Sequence, residues 1–317
     1  MRQNYLYYKA INWNDIEDEL DNAVWEKLTS LFWLDTRIHI EEDKEQWERL
    51  SNVEQEQLNR LLVLLTNLAT YQSMEAGEII RQSERSQQEI AIINNLQFTE
   101  MVNTKAYNRI LQVFNDNKNL QEWFDWVDND EQVLNYLQEI DTIYQSTAAT
   151  RKRFMSLCVE GLMNIAYLSY PIQLSIEKSF INMGQMLDMV IQNEAVHCYY
   201  LNHKVKLLLR EMSQKEVSVF REWAVQTVDK LTRIAIQMII KYYQDERSQE
   251  IAINLVKQEA NHILASVELE DIYQVDSEKI AIINAKLNRL RQLNLQNSGA
   301  KVSNVMIDSM TEEDYDF

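Results

Sequence analysis

Glu194-Ala-Val-His197 and Glu100-Met-Val-Asn103 decide the reading of this chain. A Glu and a His three residues apart on a helix lie on one face and can hold one metal ion together. Two such pairs, with one carboxylate from each of two further helices, build a two-metal site inside a helical bundle. The second tetrapeptide keeps the Glu and the spacing but ends in Asn, so one of the two pairs is incomplete.

Composition agrees with a bundle. Only four Gly and one Pro occur in 317 residues, which favours long unbroken helices. Ser51-Asn-Val-Glu54, Ser86-Gln-Gln-Glu89 and Ser213-Gln-Lys-Glu216 are capping boxes, in which Ser and Glu satisfy each other's exposed backbone donors. From these signals and the apolar periodicity, helices are predicted over about 52–83, 87–115, 149–170, 184–211, 214–244 and 248–268. Leu61, Leu62, Leu64, Leu65 and Leu68 give the first of these a buried stripe. Pro171 is expected to end or kink the third.

The net charge of −18 disfavours a nucleic-acid or anionic-membrane partner. No apolar run approaches the roughly 20 residues of a membrane span. The start, Met1-Arg-Gln-Asn-Tyr5, lacks the apolar core of a secretory signal. Cys158 and Cys198 are too few for a disulfide scaffold and read as ordinary reduced thiols, so a cytoplasmic location is expected.

Four stretches carry a resemblance: Ala10-Ile-Asn-Trp-Asn14, Leu28-Thr-Ser-Leu-Phe-Trp-Leu34, Glu100 with Tyr107, and Asn193-Glu-Ala-Val-His-Cys-Tyr-Tyr200. The intervals 69 to 100, 100 to 160 and 160 to 194 fit the same pattern. Over essentially its whole length the chain resembles the small, radical-generating subunit of class Ib ribonucleotide reductase. The resemblance implies an all-α, ferritin-like helical bundle with additional helices over 1–290 and a flexible C-terminal tail over 291–317. It also implies a homodimer that pairs with a large catalytic subunit, with a flavodoxin-like activator as a further candidate partner.

The family holds two iron or manganese ions with six ligands. Carried over by position, Glu160, Glu194 and His197 serve the second ion, and Glu100 bridges. The Asp position of the first ion is Ala69 and its His position is Asn103. A methyl group binds no metal, and an amide oxygen is a poor substitute for imidazole nitrogen. No nearby side chain compensates. Glu75 is turned roughly 240° from Ala69 around an ideal helix, and Gln72 shares the face of Ala69 but carries no charge. Three carboxylates cannot neutralise two buried divalent ions. One iron or manganese ion at the second position, or none, is therefore expected, and a full dimetal centre is not.

By the same resemblance Tyr107 is the tyrosine that stores the radical, and Asn164 replaces an aromatic beside it, while Leu168 and Val190 stay apolar. The family's route to the large subunit runs through His, Asp, Trp and a tail Tyr. Here those positions are Asn103, Asn193, Trp33 and Asn304, so three of the four are altered. The acidic tip ending in Tyr315-Asp-Phe317 resembles the family's docking peptide for the large subunit. Two functions stay open. One is a small subunit of ribonucleoside-diphosphate reductase, holding a tyrosine-based radical beside an incomplete metal site. The other is a catalytically degenerate paralogue that binds the large subunit without generating a usable radical. An oxidase of another substrate is a third reading, and it too suffers from the missing ligands.

Overall fold

Ser51, Ser86 and Ser213 each accept a hydrogen bond from the backbone N–H of the Glu three residues on, and each Glu returns the bond to its Ser. Helix starts therefore fall where the capping boxes put them. The computed structural model describes residues 9–83, 86–116, 120–146 and 148–292. Among these, the chain forms helices α1 (Glu19–Ser30), α2 (Asn52–Tyr71), α3 (Gly77–Arg81), α4 (Gln87–Phe114), α5 (Leu120–Asn129), α6 (Glu131–Tyr144) and α7 (Ala149–Cys158). Then come α8 (Asn164–Glu177), α9 (Ile181–Arg210), α10 (Gln214–Tyr242), α11 (Glu246–Ser266) and α12 (Ser277–Leu290). Single wide π-turns, Gln72–Ala76 and Val159–Met163, join α2 to α3 and α7 to α8. No strand occurs among the described residues, and no helix is long and apolar enough to cross a membrane. From residue 293 on, the C-terminal tail, including Asn304 and Tyr315-Asp-Phe317, lies outside the described residues.

Four elements form the bundle: α2 against α4, and α7–α8 against α9, with α8 also packed on α2. Helices α10, α11 and α12 cover the outside of α8 and α9, and α1 lies across α4 and α9. The fold is the ferritin-like arrangement with additional helices. The leucine stripe of α2 is fully buried at Leu61, Leu62, Leu64, Leu65 and Leu68. Truncating one such side chain costs roughly 2–5 kcal/mol, so this stripe holds the two halves together.

Pro171 departs from expectation. It sits inside α8, which continues to Glu177. The helix is buried on all sides there, from Asn164 to Leu174, and that packing offsets the roughly 3 kcal/mol a helical proline costs. Helices α1, α5, α6 and α12 are additions to those expected from the sequence. Helices α1, α6 and α12 start at Asp18, Asp130 and Asp276, which cap without a matching Glu and so lack the two-residue signature.

One buried cation fixes α1. The Lys204 ammonium on α9 is 2.8 Å from Asp18, 2.7 Å from Asp21 and 3.0 Å from Glu89. Lys204 and Asp21 are almost completely buried. Burial would lower the lysine pKa, but the three carboxylates hold it above its ordinary value. Removing the ammonium strands buried carboxylates. Lys204→Ala is expected to lower unfolding free energy by roughly 3 kcal/mol or more in urea titration; a change within about 0.5 kcal/mol would contradict this role.

Candidate metal centre

The π-turn at Val159–Met163 widens the helix where Glu160 enters the core, and the facing turn at Gln72–Ala76 does the same opposite it. Such wide turns change which side chains face inward and cluster at functional sites. Glu100 comes from α4, while Glu194 and His197 share one face of α9, one turn apart. The four side chains meet: Glu100, Glu160, Glu194 and His197 each offer a ligand atom, all within 4.8 Å of one another and all buried. His197 directs Nδ1 at two of them, 3.4 Å from Glu100 and 3.3 Å from Glu160.

The positions that carry no ligand are not idle. Asn103, on the turn after Glu100, is fully buried and donates through Nδ2 to Glu194 Oε1 at 3.2 Å. Gln72, three residues past Ala69, donates through Nε2 to Glu160 Oε1 at 2.9 Å. Two amide N–H groups thus point at carboxylate oxygens of the cluster. The Ala69 side chain is buried. Glu75 is exposed and offers the cluster nothing.

Burial and mutual repulsion set the charges. Burial, with the charges of Glu100 and Glu160, drives the Glu194 carboxyl far above the usual range. Burial and the Glu160 charge push Glu100 up to about 7. Burial would also raise Glu160, but hydrogen bonds from Glu194, His197 and Gln72 outweigh it and hold Glu160 down to about 2. His197 would lose its charge on burial, yet Glu100 and Glu160 keep its pKa up at about 9. One imidazolium and one shared set of protons therefore balance three carboxylates. Glu194 Oε2 is left without a hydrogen-bond partner among the described residues.

This donor set fits one divalent or trivalent ion: three carboxylates and an imidazole nitrogen converge on a dry point. Ala69 supplies no donor atom for a second, and Asn103 turns its Nδ2 to Glu194 while its Oδ1 has no hydrogen-bond partner among the described residues.

Tyr107 is buried on α4, two turns beyond Glu100. Burial and the nearby charges of Glu194, Glu100 and Glu160 hold its phenol well above the ordinary value, so it keeps its proton. Asn164 lines a cavity of about 230 Å³ together with Glu160, Leu168, Glu194 and Cys198. Burial raises the pKa of both Cys158 and Cys198, so neither thiol is poised as a nucleophile. Trp33 and Asn193 share another cavity, of about 300 Å³, between α1 and α4. They are not bonded there: the Asn193 amide donates to the Met189 carbonyl at 2.9 Å, and the Trp33 indole N–H has no partner among the described residues. No hydrogen bond links Asn103, Asn193 and Trp33 among the described residues. Sequence reasoning missed Tyr144, whose hydroxyl donates to Gln72 Oε1 at 3.1 Å. No local signal marked it, because its helix carries no capping box.

Helices and cluster together define a carboxylate–histidine protein of the helical-bundle class. A family model described as ribonucleotide reductase, small chain, matches residues 10–280, and the chain belongs to that family. A ribonucleoside-diphosphate reductase beta subunit of Mycobacterium tuberculosis is 26% identical over 268 residues, 84% of this chain and 83% of the relative. The ribonucleoside-diphosphate reductase 2 subunit beta of Escherichia coli is 24% identical over 310 residues, 97% of each. Among solved structures, dimanganese(II)-NrdF of Streptococcus sanguinis superposes with a TM-score of 0.84 at 28% identity, covering 89% of this chain and 99% of that one.

Protonation gives a direct check on the cluster. With His197 cationic and Glu194 neutral near pH 7, an ion must displace protons to reach their lone pairs. Titrating manganese(II) calorimetrically in two buffers of different ionisation enthalpy is expected to show release of on the order of two protons per ion. Binding without proton release would contradict the charge assignment.

Proposed function

We propose that this protein is the small subunit of a ribonucleoside-diphosphate reductase that stores an oxidising equivalent at Tyr107 beside a single iron or manganese ion. The observation that carries the proposal is the convergence of Glu100, Glu160, Glu194 and His197 within 4.8 Å, with a methyl group (Ala69) and an amide (Asn103) at the two positions that complete the family's pair. When bound, the ion supplies a one-electron oxidant. The chain does the rest. Glu160 and Glu194 are oriented by Gln72 and Asn103, and Tyr107 is kept protonated until it is oxidised. Burial of Tyr107 keeps water from the phenol.

The route outward differs from the family's. Trp33 is in place, but the two positions before it in the family's route, Asn103 and Asn193, are amides bonded to Glu194 and to the Met189 carbonyl. Transfer to the large subunit through Trp33 therefore proceeds without the proton movement that a carboxylate and an imidazole provide, and is slow. Dimer formation has a candidate face. Phe32 and Phe98 stack with ring centroids 6.1 Å apart while about half exposed, and Met101 is exposed one turn along α4. A second copy of this chain is the partner that covers this face.

Elemental analysis of protein loaded with iron or manganese is expected to give about one ion per chain, and Ala69→Asp with Asn103→His to raise it toward two. Electron paramagnetic resonance of the loaded protein, with dioxygen and a flavodoxin-like activator, is expected to show a tyrosyl signal that Tyr107→Phe removes. A loaded protein with no such signal favours the degenerate paralogue instead. Tail docking is tested separately. Truncation after Gln292 is expected to abolish capture of the large subunit in a pull-down, and undiminished capture would reject a docking role for the acidic tip.

A further inference from the structure

Gln72 leads away from the cluster as well as toward it. Its Nε2 donates to Glu160, and its Oε1 accepts from the Tyr144 hydroxyl at 3.1 Å. Tyr144 is fully buried. Its ring lies 6.1 Å, centroid to centroid, from that of Tyr71, the residue before Gln72. The Tyr71 hydroxyl in turn donates to Asp141 Oδ1 at 3.1 Å, and both residues are half-buried at the surface end of the path. A hydrogen-bonded and aromatic line thus runs from a cluster carboxylate to solvent, on the side of the bundle formed by α2 and α6.

Other tyrosines lack one part of this arrangement. Tyr242 donates to Asp130 and Tyr273 to Asp229, so each has a carboxylate to take its proton. Hydrogen bonds and ring contacts among the described residues lead to the cluster from Tyr71, however, and not from either of those. Tyr167 is deep in the core, but its hydroxyl meets the Met238 sulfur, a weak proton acceptor, and the Tyr136 phenol rather than a carboxylate.

We propose that Tyr71 is a redox-active residue, with Asp141 as its proton acceptor and with Tyr144 and Gln72 as the bridge joining it to the carboxylate cluster. One electron passes from the Tyr71 ring, by way of Tyr144 and Gln72, to a one-electron oxidant at the cluster, a bound metal ion in its oxidised state. The phenolic proton moves along the existing hydrogen bond to Asp141. The products are a neutral Tyr71 radical, a protonated Asp141 carboxyl and the oxidant reduced by one electron. Only the Tyr71 O–H bond breaks, and only an O–H bond on Asp141 forms. Burial and the Asp141 charge hold the Tyr71 phenol far above its ordinary pKa, so the proton stays on oxygen until the electron leaves. The path gives the cluster an outlet that does not use Trp33.

The link to the cluster rests on the ion-binding reading given above, whereas the Tyr71–Asp141 pair does not. Two oxidation experiments on the full chain separate them, both read by mass-spectrometric mapping of nitrone spin-trap adducts. In the first, metal-free protein is oxidised from outside by flash-generated ruthenium(III) tris-bipyridine. Tyr71 is expected to be a principal adduct site, with its yield falling several-fold in Asp141→Asn. In the second, protein loaded with iron(II) is treated with hydrogen peroxide. Adduct at Tyr71 is expected again, falling several-fold in Tyr144→Phe, although that variant retains iron and labels normally with ruthenium. Absence of adduct at Tyr71 in the first experiment, or equal yield in Asp141→Asn, overturns the assignment. Equal yield in Tyr144→Phe in the second overturns the bridge. A protein that retains no iron overturns the ion-binding reading and the bridge with it, while the roles of Tyr71 and Asp141 stand or fall by the first experiment.

Discussion

Three carboxylates buried within reach of one another are the constraint on which the rest of this structure depends. Like charges in a dry interior cannot all persist, and each uncompensated one costs several kcal/mol. The chain meets this in three ways. His197 contributes a positive charge, Glu194 holds a proton, and the amides of Gln72 and Asn103 donate to Glu160 and Glu194. The amides matter most for function. They lend partial positive charge to the same oxygens that a cation would otherwise neutralise.

The scaffold is arranged to keep that cluster in place. Two π-turns face each other at its level and are tied together by the bond from Gln72 to Glu160. The leucine stripe of α2 supplies packing on one side, and the long helix α9 brings Glu194 and His197 from the other. Farther along α9, Lys204 pins α1, the helix that leads into Trp33. Stability and chemistry thus share α9, where a charge buried for structure lies two turns from a charge buried for binding.

Much of this was legible in the residues. The i, i+3 pair at Glu194 and His197 and the matching Glu100, with Glu160 supplied by the family resemblance, are the four side chains that the fold brings together. The Ser-x-x-Glu boxes placed three helix starts, because both halves of the signature are local. Helices capped by Asp alone escaped notice, since one acidic residue before an apolar stretch is common. Pro171 misled because a helix-breaking residue is tolerated when its surroundings are fully buried, which is a tertiary fact. Gln72 was placed on the right face but judged only by its charge. Its hydrogen bonds to Glu160 and Tyr144 depend on a wide turn and on a helix distant in sequence, and no local pattern encodes either.

We propose that amide donors stand in for one ion of a pair. Anomalous diffraction from crystals grown with manganese(II) or iron(II) tests it directly. A single peak among Glu100, Glu160, Glu194 and His197, with the Gln72 and Asn103 nitrogens still bonded to their carboxylates, is the result expected. Two peaks of comparable height, with both amides swung away, would contradict it.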